Sequence, residues 1–265
     1  MTDSATLKVN WAAKHIFELN EVLRKTRPFP FVLKTNTQTG DRVLGCEKNE
    51  AVVDLIALLC GDAVHNLRAA LDHAYWEILS PLCRSDRERK NIQFPFAEEA
   101  DRLDKAIRER LGQRAGTGFY CALRRLAPYG DLGGNIPLFL IHHLDIADKH
   151  RLLLPAVDES THSFKWLDTV DSSHPWKGWS ASVTLSEQAE IKWTGASVPF
   201  RDQLGVQISE HEFKRVLDVP IDVVMPVTLQ ENIILKLPPV VPMLHQMLNM
   251  TRETIRVMRA GAASY

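Results

Sequence analysis

One long helical run, from about Asn49 to Leu79, constrains this chain more than any other feature. It holds no proline and stops just before Pro81. On a wheel of about 100° per residue, Cys60, Val64, Leu67, Leu71, Tyr75 and Ile78 share one narrow apolar stripe, which has to face a core. Asp62, His65, Asn66, Asp72 and His73 gather on roughly the opposite side with Ala69 and Trp76, and Arg68 stands at the border, one turn from Asp72. Each of these polar groups needs a partner wherever it is buried.

A second polar cluster, His142-His-Leu-Asp-Ile-Ala-Asp-Lys-His-Arg151, lies on another helical stretch that Pro137 opens. There His142, Asp145 and Lys149 fall on one side, and Phe139, His143, Ile146 and His150 on another; Asp148 belongs to the same run. The two clusters are predicted to lie side by side, because facing each other they can satisfy their hydrogen bonds mutually. Arg68 should then find an acidic partner among Asp72, Asp145 and Asp148.

The remaining pattern predicts an α+β fold, a helical bundle with a β-rich antiparallel insertion before the last helix. Helices are expected over 5–25, 98–111 and 119–126, and a last one from Pro242 to about Arg259. Phe31–Thr35 and Arg42–Cys46 flank Thr39-Gly-Asp41 as a β-hairpin. Arg84–Lys90 reads as a charged loop and Ile92–Phe96 as a short extended piece. After Pro155, the runs 179–185, 189–193, 205–208, 221–229 and 233–237 are rich in Val, Ile, Thr and Trp and read as strands. The expected units are a bundle with its hairpin over 1–154, an insertion over 155–237, and a helix over 238–265 that returns to the bundle.

The formal net charge of −1 argues against a chain that holds nucleic acid by bulk charge. Arg102, Lys105, Arg108, Arg110, Arg114, Arg124 and Arg125 form a local basic region, but Asp101, Asp104 and Glu109 interleave with them, as on a solvated helix surface. His174-Pro-Trp-Lys-Gly-Trp179 could stack a base or a sugar, or pack between elements. Four scattered cysteines without a C-x-x-C pair fit a reducing compartment. No signal peptide and no membrane span are expected, so the location expected is cytoplasmic.

Arg68-Ala-Ala-Leu-Asp-His73 resembles the Arg-x4-6-His motif of the HEPN ribonucleases, although Ala69 stands where that family favours a polar residue. The resemblance implies a helical bundle that binds or cleaves RNA without a metal or other cofactor, often in a cleft shared by two protomers. RNA and a second copy of the chain are therefore the implied partners. In that reading Arg68 stabilises the phosphorane and His73 transfers protons, with Asn66 or Asp72 orienting one of them. The longer run from Gly61 to His73, with Asp148-Lys-His-Arg151 downstream, is similar to a family of bacterial proteins that share these motifs; that likeness carries no activity.

Two other readings compete. In the first, the protein is a non-catalytic interaction module, and the clusters form a structural seam with Arg68 paired to Asp145 or Asp148. In the second, Asp62, His65 and His73, with His142 or Asp145 from the facing helix, hold a metal ion, as bundle metalloproteins do.

Overall fold

The computed structural model describes residues 3–35, 41–153, 155–157, 160–165, 180–185, 190–194, 227–229 and 239–263. They are mostly helical and divide into two compact units. The first comprises 1–25, 54–154 and 229–265, and the second comprises 26–53 and 155–228.

Helices build the first unit. In α1 (Ser4–Lys25), Ala5, Val9, Ala12, Ile16 and Leu19 are buried at helical spacing. Asp3 caps its start, accepting hydrogen bonds from Thr6 N at 2.8 Å and Thr6 Oγ1 at 2.9 Å. The long helix α2 (Glu50–Leu79) buries Cys60, Val64, Leu67, Leu71 and Tyr75, the stripe read from the wheel, while Ile78 is half-buried. After α3 (Asp86–Arg89) and α4 (Leu103–Glu109) come α5 (Gly116–Leu126), α6 (Ile136–His150) and α7 (Val240–Ala263). Helix α7 packs on α1, α5 and α6 through Met243, Leu244, Met247, Leu248, Ile255 and Met258. Its end crosses α5 closely: a Cβ on Gly261 would come within 2.9 Å of Ala122 Cβ. Arg259 reaches Asp3 at 2.9 Å and Glu77 at 3.0 Å, which ties α7 to the start of α1 and the end of α2.

Two local expectations need correction. Residues 84–90 are not all loop: Ser85 accepts from Glu88 N at 3.3 Å and nucleates the single turn of α3. Ser85-Asp-Arg-Glu88 is an S-x-x-E capping pattern, and Glu88 accepts in turn from Arg84 N at 2.7 Å. The helix expected over 98–111 is shorter, because Glu99 is extended and Leu111 turns left-handed at φ 66°.

The second unit holds the strands, the last of which ends on Leu229 of the first unit. β1 (Phe31–Thr35) and β2 (Asp41–Cys46) pair antiparallel, with Phe31 opposite Cys46. The other strands are β3 (Pro155–Val157), β4 (Ser160–Lys165), β5 (Ser180–Leu185), β6 (Glu190–Thr194) and β7 (Val227–Leu229). β6 joins the free edge of β2, with Leu44 opposite Ile191, so the hairpin groups with this unit instead of with the helices. β4 pairs β5 and β3 pairs β7. Among the described residues these sheets are small, of two or three strands, so "β-rich" overstates them. The strands expected at 205–208 and 233–237, and the aromatic run 174–179, lie outside the described residues.

Candidate functional site

The site is the seam between α2 and α6, and an aromatic row leads to it from the core. Phe119, Tyr75 and Phe94 are fully buried or nearly so, with ring centroids 5.8 Å apart for Tyr75–Phe119 and 6.1 Å for Tyr75–Phe94. Phe94 meets Phe96 at 4.8 Å, and Phe96 stacks parallel on His142 of α6 at 4.6 Å. The guanidinium of Arg68 lies 4.5 Å from the Phe96 ring centroid. Sequence reasoning missed Phe96 as a site residue. The alternation of Ile92, Phe94 and Phe96 is the signal that could have found it.

The two polar clusters meet. His65 Nδ1 lies 3.0 Å from Asp145 Oδ1, and Lys149 Nζ donates to Asp145 Oδ2 at 2.6 Å. Asp145 is 2% exposed, whereas His65 and Lys149 are 53% and 56% exposed. A buried carboxyl group is thus covered by a histidine and a lysine that open to solvent. Arg68 NH1 donates to Asp72 Oδ1 at 2.8 Å, and Asp72 also accepts from Phe94 N at 2.8 Å. The partner of Arg68 is therefore one turn away on its own helix, and not the Asp145 or Asp148 that a seam pairing would use. Asp145 still acts on it through charge; burial lowers the Arg68 pKa, while Asp72 and Asp145 oppose that shift.

The other expected residues are placed differently. Asn66 donates to Asp62 O at 2.7 Å and accepts from Lys8 Nζ at 3.0 Å, so it fastens α1 to α2. His73 is half-buried, and its Nδ1 is buried with no hydrogen-bond partner among the described residues. His142 Nδ1 is in the same condition. Burial, and then the charge of Arg68, pull the His142 pKa down to about 4. His143 stacks on Phe139 at 5.9 Å, and His150 is exposed. Trp76 is exposed on the outer face of α2.

Asp148 reaches across to α2. A Cβ on Gly61 would overlap its Oδ1 and come within 2.7 Å of its Cγ and Oδ2. Burial, followed by the charges of Asp145 and Asp62, raises the Asp148 pKa, and His65 opposes the shift. Cys60, fully buried beside it, is pushed up to about 12 by burial and then by Asp148, so it supplies no thiolate.

Among the described residues, no group of three or more His, Cys, Asp or Glu side chains is disposed to hold a metal ion. His65 meets Asp145, but Asp62 and His73 do not gather with them, or with His142, into the group that the metal reading requires. In the basic region, Arg102 pairs with Glu99, Lys105 with Glu109, Arg114 with Glu88 and Arg124 with Asp104, as on a solvated surface. No described helix is long and apolar enough to cross a membrane. No family model matches the chain, and neither a curated protein nor a solved structure matches it.

Proposed function

We propose that the protein is a HEPN-like RNA-binding protein that cleaves RNA without a metal ion at the α2–α6 seam. One observation carries this reading: His65, half open to solvent, is hydrogen-bonded through Nδ1 to a carboxylate that is 2% exposed. With Asp145 ionised, Nδ1 carries the hydrogen and the lone pair sits on Nε2, on the other side of the ring. A positioned imidazole of this kind can take the proton from a ribose 2′-hydroxyl, and the buried carboxylate stabilises the imidazolium that forms. Lys149 supplies positive charge for a phosphate at the solvent edge, and the buried Arg68 acts by charge on Asp72 and Asp145. The motif assigns proton transfer to His73; this reading gives it to His65, because His65 is the one joined to the second cluster.

The test is purified wild type, His65→Ala, Arg68→Ala and His73→Ala on a mixed RNA pool, with and without EDTA. We expect cleavage that chelator leaves intact and that His65→Ala lowers by about 10²-fold or more. Loss in His73→Ala with His65→Ala unaffected would return the role to His73. Loss with EDTA, or an inert wild type, would overturn the reading. The mass of the protein in solution, read from the same preparation, tells whether the two-protomer cleft implied by the HEPN likeness is present.

A second reading, a non-catalytic interaction protein, is favoured by one observation: Arg68 is only 10% exposed and already paired. It expects inert wild type and variants that differ in stability alone.

A further inference from the structure

We propose that Asp148 is the second proton-transfer group of this site, protonating the leaving oxygen while His65 deprotonates the attacking hydroxyl. The proposal rests on the reading above. Both carboxylates of α6 face α2, but they are held in opposite ways. Asp145 is buried and hydrogen-bonded on both oxygens, by His65 and by Lys149. Asp148, three residues on, receives no hydrogen bond from any described residue.

Its carboxyl lies instead on the backbone of Gly61, one turn before His65, in space that any side chain at position 61 would occupy. The titratable groups near enough to act on it by charge are Asp62, His65 and Cys60 from α2 and Asp145 from its own helix. Two neighbouring carboxylates and partial burial favour the neutral acid, and only His65 opposes them. A carboxyl group held towards its neutral form one turn along from a positioned imidazole is suited to carry a proton to a leaving oxygen.

The step balances without a further reactant. The 2′-hydroxyl proton passes to His65 Nε2 and the 2′-oxygen forms a bond to phosphorus. The P–O5′ bond breaks, and O5′ takes the Asp148 proton. The products are a 2′,3′-cyclic phosphate and a 5′-hydroxyl; proton exchange with solvent restores both groups.

The experiment is the pH–rate profile of RNA cleavage by wild type, Asp148→Asn and Gly61→Ala, with far-UV circular dichroism on each. An acid that must be protonated makes the rate fall on the alkaline side, whichever of the two groups has the higher pKa. Wild type should therefore give a bell. Asp148→Asn should lose about 10²-fold at the optimum and also lose the alkaline fall, leaving a rate that rises to a plateau. Gly61→Ala keeps Asp148 but displaces it, and alanine favours the helix, so this folded variant should show the same altered profile. A bell that persists in Asp148→Asn, or a rate within about threefold of wild type, overturns the role of Asp148 and leaves that of His65 standing. An inert wild type overturns both.

Discussion

Removing either end of the Arg68–Asp72 pair should cost very different amounts. The Arg68 side chain is 10% exposed and that of Asp72 is 31% exposed. Asp72→Ala leaves a guanidinium almost buried without its hydrogen-bonded counter-ion, a loss of about 3–5 kcal/mol in comparable pairs. It also orphans the Phe94 N–H, at about 1–3 kcal/mol. The charge of Asp145 still reaches Arg68, so the sum belongs near the lower end, about 4–5 kcal/mol. Arg68→Ala forfeits one charged hydrogen bond, about 1.5–3 kcal/mol, and the contact on Phe96, about 0.5–2 kcal/mol. Against this, the burial cost of the guanidinium disappears and Asp72 keeps both water and Phe94 N, so the net loss should be about 1–2 kcal/mol. The double variant, with no charge left unpaired, should be more stable than Asp72→Ala alone. Urea denaturation followed by far-UV circular dichroism measures all three. Arg68→Ala as costly as Asp72→Ala, or a double variant equal to the sum of the two, would refute the reasoning.

Two further outcomes follow from the packing. Gly112→Ala would place a Cβ within 2.7 Å of Tyr75 Oη and Ile107 Cγ2 in the core, so its melting temperature should fall by the equivalent of about 1–3 kcal/mol; an unchanged value would contradict that crowding. His142 takes up its proton at about 4 in the folded chain against an ordinary 6.5, so the unfolded chain binds more protons between these values. Stability should be insensitive to this group above about pH 6.5, fall as pH drops towards about 4, and lose no more below it. His142→Phe, which keeps a ring on Phe96, should remove that part of the slope of urea midpoint against pH; an identical slope in both proteins would count against it.

How much of this was legible in the sequence depended on whether the cause was local. The stripe Cys60–Val64–Leu67–Leu71–Tyr75 is a property of one helix, and periodicity found it. The Arg68–Asp72 bond is also local, because residues four apart on a helix are neighbours. The Ser85–Glu88 cap was local too, and was missed because a charged run looks like a loop. The hairpin was found from its turn residues, but its grouping with β6 joins segments far apart in the chain, Leu44 with Ile191, which no window along the sequence compares. Phe96 and Gly61 matter for what other segments bring to them, a histidine ring and a carboxyl; the alternation of Ile92, Phe94 and Phe96 marks a buried face without naming the ring it meets, and Gly61 carries no local signal at all.

The choice between His65 and His73 shows the same limit at the site. They stand eight residues apart on α2, roughly 80° around the helix, so a wheel puts both on the polar face. Which of them meets Asp145 is set by the rotation of α2 about its axis, and that rotation is fixed by the stripe on the far side seeking burial. With Cys60, Val64 and Leu67 wholly buried, Gly61 is turned towards α6, where its missing side chain admits Asp148. His65 lies one turn further along the same line and reaches Asp145 at 3.0 Å. His73 lies two turns beyond His65, and no hydrogen bond joins its Nδ1 to α6 among the described residues. The motif spacing selects His73 because it counts positions along one helix, whereas the chemistry proposed here needs a partner from a second helix. The structure marks that second helix at Gly61, where the Asp148 carboxyl fills the place of a side chain one turn before His65.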